Sequence, residues 1–330
     1  MKADGMKVGV IGGGAWGTAL AQVASQGGDT LLWAREPEVV QSIADTRENR
    51  LFLAGVPLSD AIRPTTELAE LQDLDCLLVV TPAQHMRAVL GGLAGFAGAL
   101  VLCSKGIEEA SGQLLHAVAR QCCPDAAVMV LSGPTFAHEV ASGLPTALTL
   151  AAEVEAEADT VRTRLARPAF RIYLSDDVAG AEVGGAVKNV LAIACGVVEG
   201  RGLGQNARAA LIARGFAEMT RFGLARGARP ETLAGLSGLG DLVLTCSSTS
   251  SRNFSLGKGL GEGQPAAEML ADRRTVAEGA FTAPVLRRLA SEEGIEMPIV
   301  AAVDDLLAGQ QEVDAVLEQL LSRPLRPERA

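Results

Sequence analysis

Only two polar residues, Lys188 and its neighbour Asn189, interrupt the run from Val183 to Val198 (VGGAVKNVLAIACGVV). An ammonium group taken out of water loses much of its solvation unless a partner compensates, so its pKa falls and it can donate or accept a proton near neutral pH. The plain alternative is a lysine whose stem lies on the apolar face while its head snorkels to water. The run alone does not choose between them.

A second polar group stands further on. Gly238-Leu239-Gly240-Asp241-Leu242-Val243-Leu244-Thr245-Cys246 sets one carboxylate on a glycine-framed turn, and Ser251-Arg252-Asn253 follow about three helical turns later. A hydroxyl, a guanidinium and an amide side by side form a dense donor set for a phosphate, which arginine can hold through two bonds. The bland alternative is a serine-rich loop with a surface arginine.

Near the N-terminus, Gly12-Gly13-Gly14-Ala15-Trp16-Gly17 follows the apolar run KVGVIG and opens a helical stretch, Thr18 to Ser25. In that setting the glycines differ in what they allow. Gly12 permits a tight turn, Gly14 lets the backbone approach a pyrophosphate, and Gly17 allows close helix packing. The helix N-terminus adds free N–H donors for the anion. At the end of the next strand candidate stand Arg35 and Glu36. Arg35 suits a 2′-phosphate and Glu36 a ribose hydroxyl, so NADP is favoured with NAD still allowed. The two could equally be an ordinary solvated pair.

These groups need elements to position them. KVGVIG, DTLLWA, CLLVVT, ALVLCS, AVMVLSG, TALTLA and FRIYL read as strands, and the stretches between them read as helices. Such alternation implies βαβ units and a largely parallel sheet. After about Ser175 the pattern becomes entirely helical. The expected fold is therefore α/β, with an N-terminal Rossmann-like dinucleotide-binding domain over residues 1–182 and a C-terminal all-α domain over 183–330. Two loops at strand ends, Cys103-Ser104-Lys105-Gly106 and Ser132-Gly133-Pro134-Thr135-Phe136-Ala137, should lie where open α/β sheets bind ligands. The final RPLRPERA reads as a solvated tail.

Composition narrows the remaining classes. The chain has 330 residues, 48% hydrophobic and 21% charged, which excludes fibrous and disordered proteins and allows two cores. Its formal charge of −10 disfavours nonspecific attraction to nucleic acid or anionic membrane. MKADGMKVGVIGGG carries no signal-peptide pattern, and no run is expected to span a bilayer, so the chain reads as cytoplasmic. Six cysteines without a CxxC pair read as small core residues in a reducing compartment. His85, His116 and His138 show no ligand spacing, and no metal is expected.

Taken together, the ordered segments GGGAWGTALA, SKGIE, SGPTFAHEVA, AVKNVLAIACGVVEG, NARAALIARG, GLGDLVLTCSSTSSRNFSLG and VAEGAFT resemble bacterial-type NAD(P)-dependent glycerol-3-phosphate dehydrogenases. The resemblance covers nearly the whole chain. It implies that Lys188 transfers the proton and that Lys105, Gly133, Thr135, Asp241, Ser251, Arg252 and Asn253 touch substrate. It also implies cofactor contacts at Ala15, Trp16, Arg35, Lys105, Ala137, Arg252, Val276 and Glu278. Ala15 stands where many members have serine, Gln205 where an acid is common, and Glu36 where some have a second basic residue.

The implied reaction interconverts dihydroxyacetone phosphate and sn-glycerol 3-phosphate, with Asp241 orienting Lys188, in a cytosolic homodimer that supplies the backbone of glycerophospholipids. Two alternatives stand beside it. A dehydrogenase of another hydroxy acid or sugar phosphate would fit the lysine and the glycine loop, but the Ser-Arg-Asn segment less well. A cofactor-binding regulator without catalysis would need neither Lys188 nor Asp241.

Overall fold

The computed structural model describes residues 5–271 and 277–322. Val276 and the RPLRPERA tail, both given roles above, lie outside the described residues. The chain separates into two compact units, Met1–Ser104 with Leu114–Val178, and Lys105–Gln113 with Ala179–Ala330. The short excursion that carries Lys105 thus leaves the first unit and joins the second.

In the first unit the apolar runs form β1 (Val8–Ile11), β2 (Thr30–Trp33), β3 (Ile62–Thr65), β4 (Cys76–Val79), β5 (Ala99–Leu102), β6 (Ala127–Ser132), β7 (Thr146–Ala152) and β8 (Phe170–Ser175). They make one sheet in the order β3-β2-β1-β4-β5-β6-β7-β8, parallel throughout except between β6 and β7. Helices α1 (Ala15–Ser25), α2 (Pro37–Thr46), α3 (Met86–Gly91), α4 (Leu115–Cys122), α5 (Ala137–Ala141) and α6 (Glu155–Leu165) connect them. Strands β1, β4 and β5 are buried along their whole length, which is why they read as continuous apolar runs without alternation. The seven strands read from the sequence are all present. The eighth, β3, has the sequence IRPT and offers no apolar run; its Pro64 is tolerated because β3 lies at the sheet edge.

The second unit is helical: α7 (Val178–Gly200), α8 (Gly204–Ala225), α9 (Pro230–Leu233), α10 (Asp241–Thr245), α11 (Arg252–Gly261), α12 (Ala266–Ala271), α13 (Glu278–Glu292), α14 (Pro298–Leu307) and α15 (Val313–Leu321). Helix α7 is the one candidate membrane span among the described residues. It is 23 residues long and apolar enough to cross a membrane by length and composition, but its apolar window is completely buried in the fold. A helix hydrophobic on every side is what a central core position requires. Glu218 on α8 shows how a buried charge is accommodated here: its carboxylate accepts from the Ile299 and Val300 N–H groups at the start of α14.

Helices α7 and α11 meet without side chains between them. A methyl group on Gly196 would stand 2.1 Å from the Phe254 carbonyl oxygen, and one on Gly257 would stand 1.9 Å from that of Ile193. Gly200 and Gly261 repeat the pattern one turn on, at 2.2 Å from Lys258 O and 2.5 Å from Val197 O. The spacing GVVEG against GKGLG therefore lets two backbones touch and fixes the start of α11 relative to α7. Gly257→Ala should cost at least the roughly 1–3 kcal/mol typical of an overpacked core. A thermal unfolding midpoint equal to that of the unchanged protein would contradict the contact.

Candidate active site

In the first unit, Gly12 ends β1 with φ at 122°, a conformation that favours glycine, and its N–H donates to Trp33 O at 2.9 Å. A methyl group on Gly17 would lie 1.8 Å from Gly12 O, so helix α1 can start this close to the strand only with glycine there. Gly14 differs: nothing lies within 4 Å of where its Cβ would be, and α1 has no side-chain cap. An open backbone at an uncapped helix N-terminus is what a pyrophosphate needs, so these residues fit a dinucleotide. The turn sits where β1 parts from β4, the switch point of the sheet.

A residue with no signal in the local sequence supports that turn. The buried amide of Asn49 donates to Gly13 O and to Thr18 Oγ1, both at 2.8 Å. More than thirty positions separate it from the glycines, so their pattern does not point to it.

The other sites assigned to this unit lie at strand ends. Arg35 follows β2 with its side chain 73% exposed, and its guanidinium donates to Glu36 at 2.8 Å. Such an exposed pair contributes little and can be exchanged for another anion. Gly133 follows β6 with φ at 154°, and a methyl group there would press on Leu148 Cα at 3.0 Å. Thr135 Oγ1 donates to Gly133 O at 3.4 Å, and Ala137 opens α5, which packs on α1.

In the second unit the structure brings Lys188 and Asp241 together. Lys188 Nζ donates to Asp241 Oδ1 at 2.8 Å and to Thr245 Oγ1 at 2.7 Å, while Lys105 Nζ donates to Asp241 Oδ2 at 2.6 Å. Thr245 Oγ1 also lies 3.2 Å from Asp241 Oδ1. Asp241 is fully buried, so one carboxylate holds two ammonium groups, one on each oxygen. Lys188 is therefore not a snorkelling surface lysine.

The electrostatics follow from this arrangement. Burial lowers the Lys188 pKa from 10.5 to about 8, Asp241 resists that fall, and Lys105 adds to it. For Asp241, burial works upward, but the two ammonium groups outweigh it and hold the carboxyl below its ordinary value. Thr245 is not marked out by sequence motif, although its place four residues after Asp241 puts both on one face of α10.

At the start of α11 the roles divide. Ser251 caps the helix, its Oγ accepting from Phe254 N at 3.2 Å. Asn253 is 7% exposed; its Nδ2 donates to Asn189 Oδ1 at 3.0 Å and its Oδ1 accepts from Gly279 N at 2.9 Å. Arg252 is exposed, and among the described residues its guanidinium makes no hydrogen bond or ion pair. The protein around it lowers its pKa by desolvation, and the carboxylate of Glu278 at the start of α13 opposes that fall. The Ser-Arg-Asn stretch is not a continuation of α10: the chain turns between Thr245 and Arg252, and a new helix begins. Among the described residues no group of three or more His, Cys, Asp and Glu is placed to hold a metal ion.

Removing the carboxylate would leave the buried Lys188 ammonium without its ion partner. Asp241→Ala should accordingly lose about 3–5 kcal/mol in urea unfolding at neutral pH. A loss within the ordinary scatter of surface substitutions, about 0.5 kcal/mol, would contradict the shared ion pair.

Comparison with known proteins bears on the same two units. Residues 7–158 match the N-terminal model, and residues 177–318 the C-terminal model, of NAD-dependent glycerol-3-phosphate dehydrogenase. The chain is 63% identical over 323 residues to glycerol-3-phosphate dehydrogenase [NAD(P)+] of Erythrobacter litoralis, covering 98% of each protein. It is 64% identical over 324 residues to that of Novosphingobium aromaticivorans, again covering 98% of each. A solved structure of glycerol-3-phosphate dehydrogenase from Coxiella burnetii superposes with a TM-score of 0.92 at 36% identity, covering 96% of this chain and 99% of that one. With this agreement over nearly its full length, in sequence and in fold, the chain belongs to the NAD-dependent glycerol-3-phosphate dehydrogenase family.

Proposed function

We propose that this chain is an NAD(P)-dependent glycerol-3-phosphate dehydrogenase that interconverts dihydroxyacetone phosphate and sn-glycerol 3-phosphate. The observation that carries the reading is the buried Lys188, held by Asp241 and Thr245 with two of its three N–H donors engaged. The third donor is left for a substrate oxygen.

The dinucleotide belongs to the first unit, where Gly12, Gly14, Ala15, Trp16 and Gly17 form the turn and Arg35 stands at the end of β2. When bound it supplies or accepts a hydride. The exposed Arg35 favours the 2′-phosphate of NADP over the bare ribose of NAD, since its present partner Glu36 is a weak competitor. The family resemblance adds Ala137, Lys105, Arg252, Val276 and Glu278 as cofactor contacts, and Gly133 and Thr135 as substrate contacts.

Phosphate goes to the N-terminus of α11. Arg252 supplies the guanidinium, Asn253 and Ser251 shape the helix start, and the unpaired N–H groups of the first turn add donors. Holding the phosphate there fixes the carbonyl relative to Lys188, which lowers the entropic part of the barrier.

During ketone reduction negative charge gathers on the carbonyl oxygen, and the Lys188 ammonium stabilises it and then releases its proton to it. Asp241 keeps Lys188 charged before transfer, and Thr245 fixes the direction of Nζ. Lys105 stays on the opposite carboxylate oxygen, preventing Asp241 from taking the proton itself. In the reverse direction neutral Lys188 accepts the hydroxyl proton. The reading further places the protein in the cytoplasm as a homodimer that supplies glycerol 3-phosphate for glycerophospholipids.

Loss of reduced-nicotinamide absorbance with dihydroxyacetone phosphate, NADPH and NADH run in parallel, tests the reaction. Oxidation should be rapid, faster with NADPH, and absent with unphosphorylated dihydroxyacetone. Equal turnover of the unphosphorylated ketone would favour another hydroxy-compound dehydrogenase, and cofactor binding without turnover a regulator.

Lys188→Ala should lose at least about 10²–10⁴-fold in turnover while still binding cofactor. Normal turnover would remove the proton-transfer role. Arg252→Ala should lower kcat/KM for the phosphorylated ketone by roughly ten- to a hundredfold, the worth of hydrogen bonds to a charged group. An unchanged value would place the phosphate elsewhere.

A further inference from the structure

The turn that delivers Asp241 is itself unusual. Leu236–Gly240 forms a single π turn in which Gly240 N donates to Gly235 O at 3.0 Å, five residues back. Such turns are rare and concentrate at functional positions. Inside it Ser237 is wholly buried and its Oγ has no hydrogen-bond partner among the described residues, a cost that folds seldom carry without a geometric need.

Helix α7 presses on this turn at one place. A methyl group on Gly184 would stand 2.4 Å from Ser237 O and 2.9 Å from Gly238 Cα. Gly238 is clamped from its other side, where a methyl group would stand 1.9 Å from Leu233 O. Four residues beyond Gly184 is Lys188, and four beyond Ser237 is Asp241. The backbone contact and the ion pair are thus one helical turn apart on both segments and move together.

We propose that Gly184, with Gly238 opposite, is a positioning residue that sets the separation of Lys188 and Asp241 by direct backbone contact between α7 and the π turn. The inference rests on the proposed reaction, in which the charged form of Lys188 is the acid.

Gly184→Ala must open the contact by about an ångström to reach ordinary van der Waals distance. Lys188 would then lose part of the support of Asp241. The groups acting on it are Asp241 and Thr245 from α10, Cys246 just after α10, and Lys105 from the 105–113 excursion. Asp241 is the chief one favouring the charged lysine, so weakening it lowers the lysine pKa.

The test is the pH profile of kcat for dihydroxyacetone phosphate reduction by NADPH. In the unchanged protein activity should fall as pH rises through the Lys188 pKa. In Gly184→Ala that fall should come lower by about one pH unit, with NADPH affinity retained. Lost stability alone would lower the melting temperature without moving the limb, so a folded, active variant with an unmoved limb overturns the proposal.

Should Gly184→Ala not fold, hydrogen exchange in the unchanged protein reads the same contact. The Gly240 amide should exchange in the slowest class together with the α7 amides around Gly184. Exchange of Gly240 roughly a hundredfold faster, by local opening of the turn, would overturn the proposal. An unchanged protein that does not oxidise NADPH would instead remove the functional reading, while hydrogen exchange still judges the contact.

Discussion

Asp241 carries a negative charge in a fully buried position, and both of its oxygens are taken by ammonium groups. Each carboxylate oxygen thus answers a positive charge, and of the two lysines Lys188 is the more deeply buried. The same balance sets the proton inventory. Lys105 and Lys188 hold the Asp241 carboxyl below its ordinary value, Asp241 opposes the fall of the Lys188 pKa, and burial brings that pKa to about 8.

The constraint reaches the backbone through glycine. Gly184 on α7 lies against the turn before Asp241, and Gly196 and Gly200 lie against α11, whose first turn carries Arg252. One long buried helix therefore meets both the turn before Asp241 and helix α11 backbone to backbone. The first unit uses the same device at Gly17 against Gly12 O, where α1 must begin directly over the end of β1.

Much of this is legible in the sequence. Lys188 stands out because a lone ammonium in an apolar helix needs a partner, and Asp241 because glycines frame it. The glycine loop can be assigned residue by residue, since what each glycine does is local. What sequence does not reveal depends on distance along the chain. Asn49 reaches Gly13 from beyond the far end of α2, and the 105–113 excursion leaves one unit for the other without any change in composition. Thr245 is hidden for a different reason: a threonine in an apolar stretch looks like a β-branched core residue until its hydroxyl is seen between Lys188 and Asp241. Ser251, whose neighbours mark it as a ligand, has a second task that its neighbours do not signal, the cap of α11. Strand β3 carries no strand pattern because a sheet edge asks little of its sequence.

The measurement that bears most directly on the shared carboxylate is the titration of the Lys188 side chain itself, followed by NMR of the nitrogen-labelled lysines and assigned by its loss in Lys188→Arg. A lysine resonance titrating near 8, and moving lower in Asp241→Asn, is the result this account expects. A Lys188 that titrates at the ordinary 10.5 and ignores Asp241→Asn would contradict it.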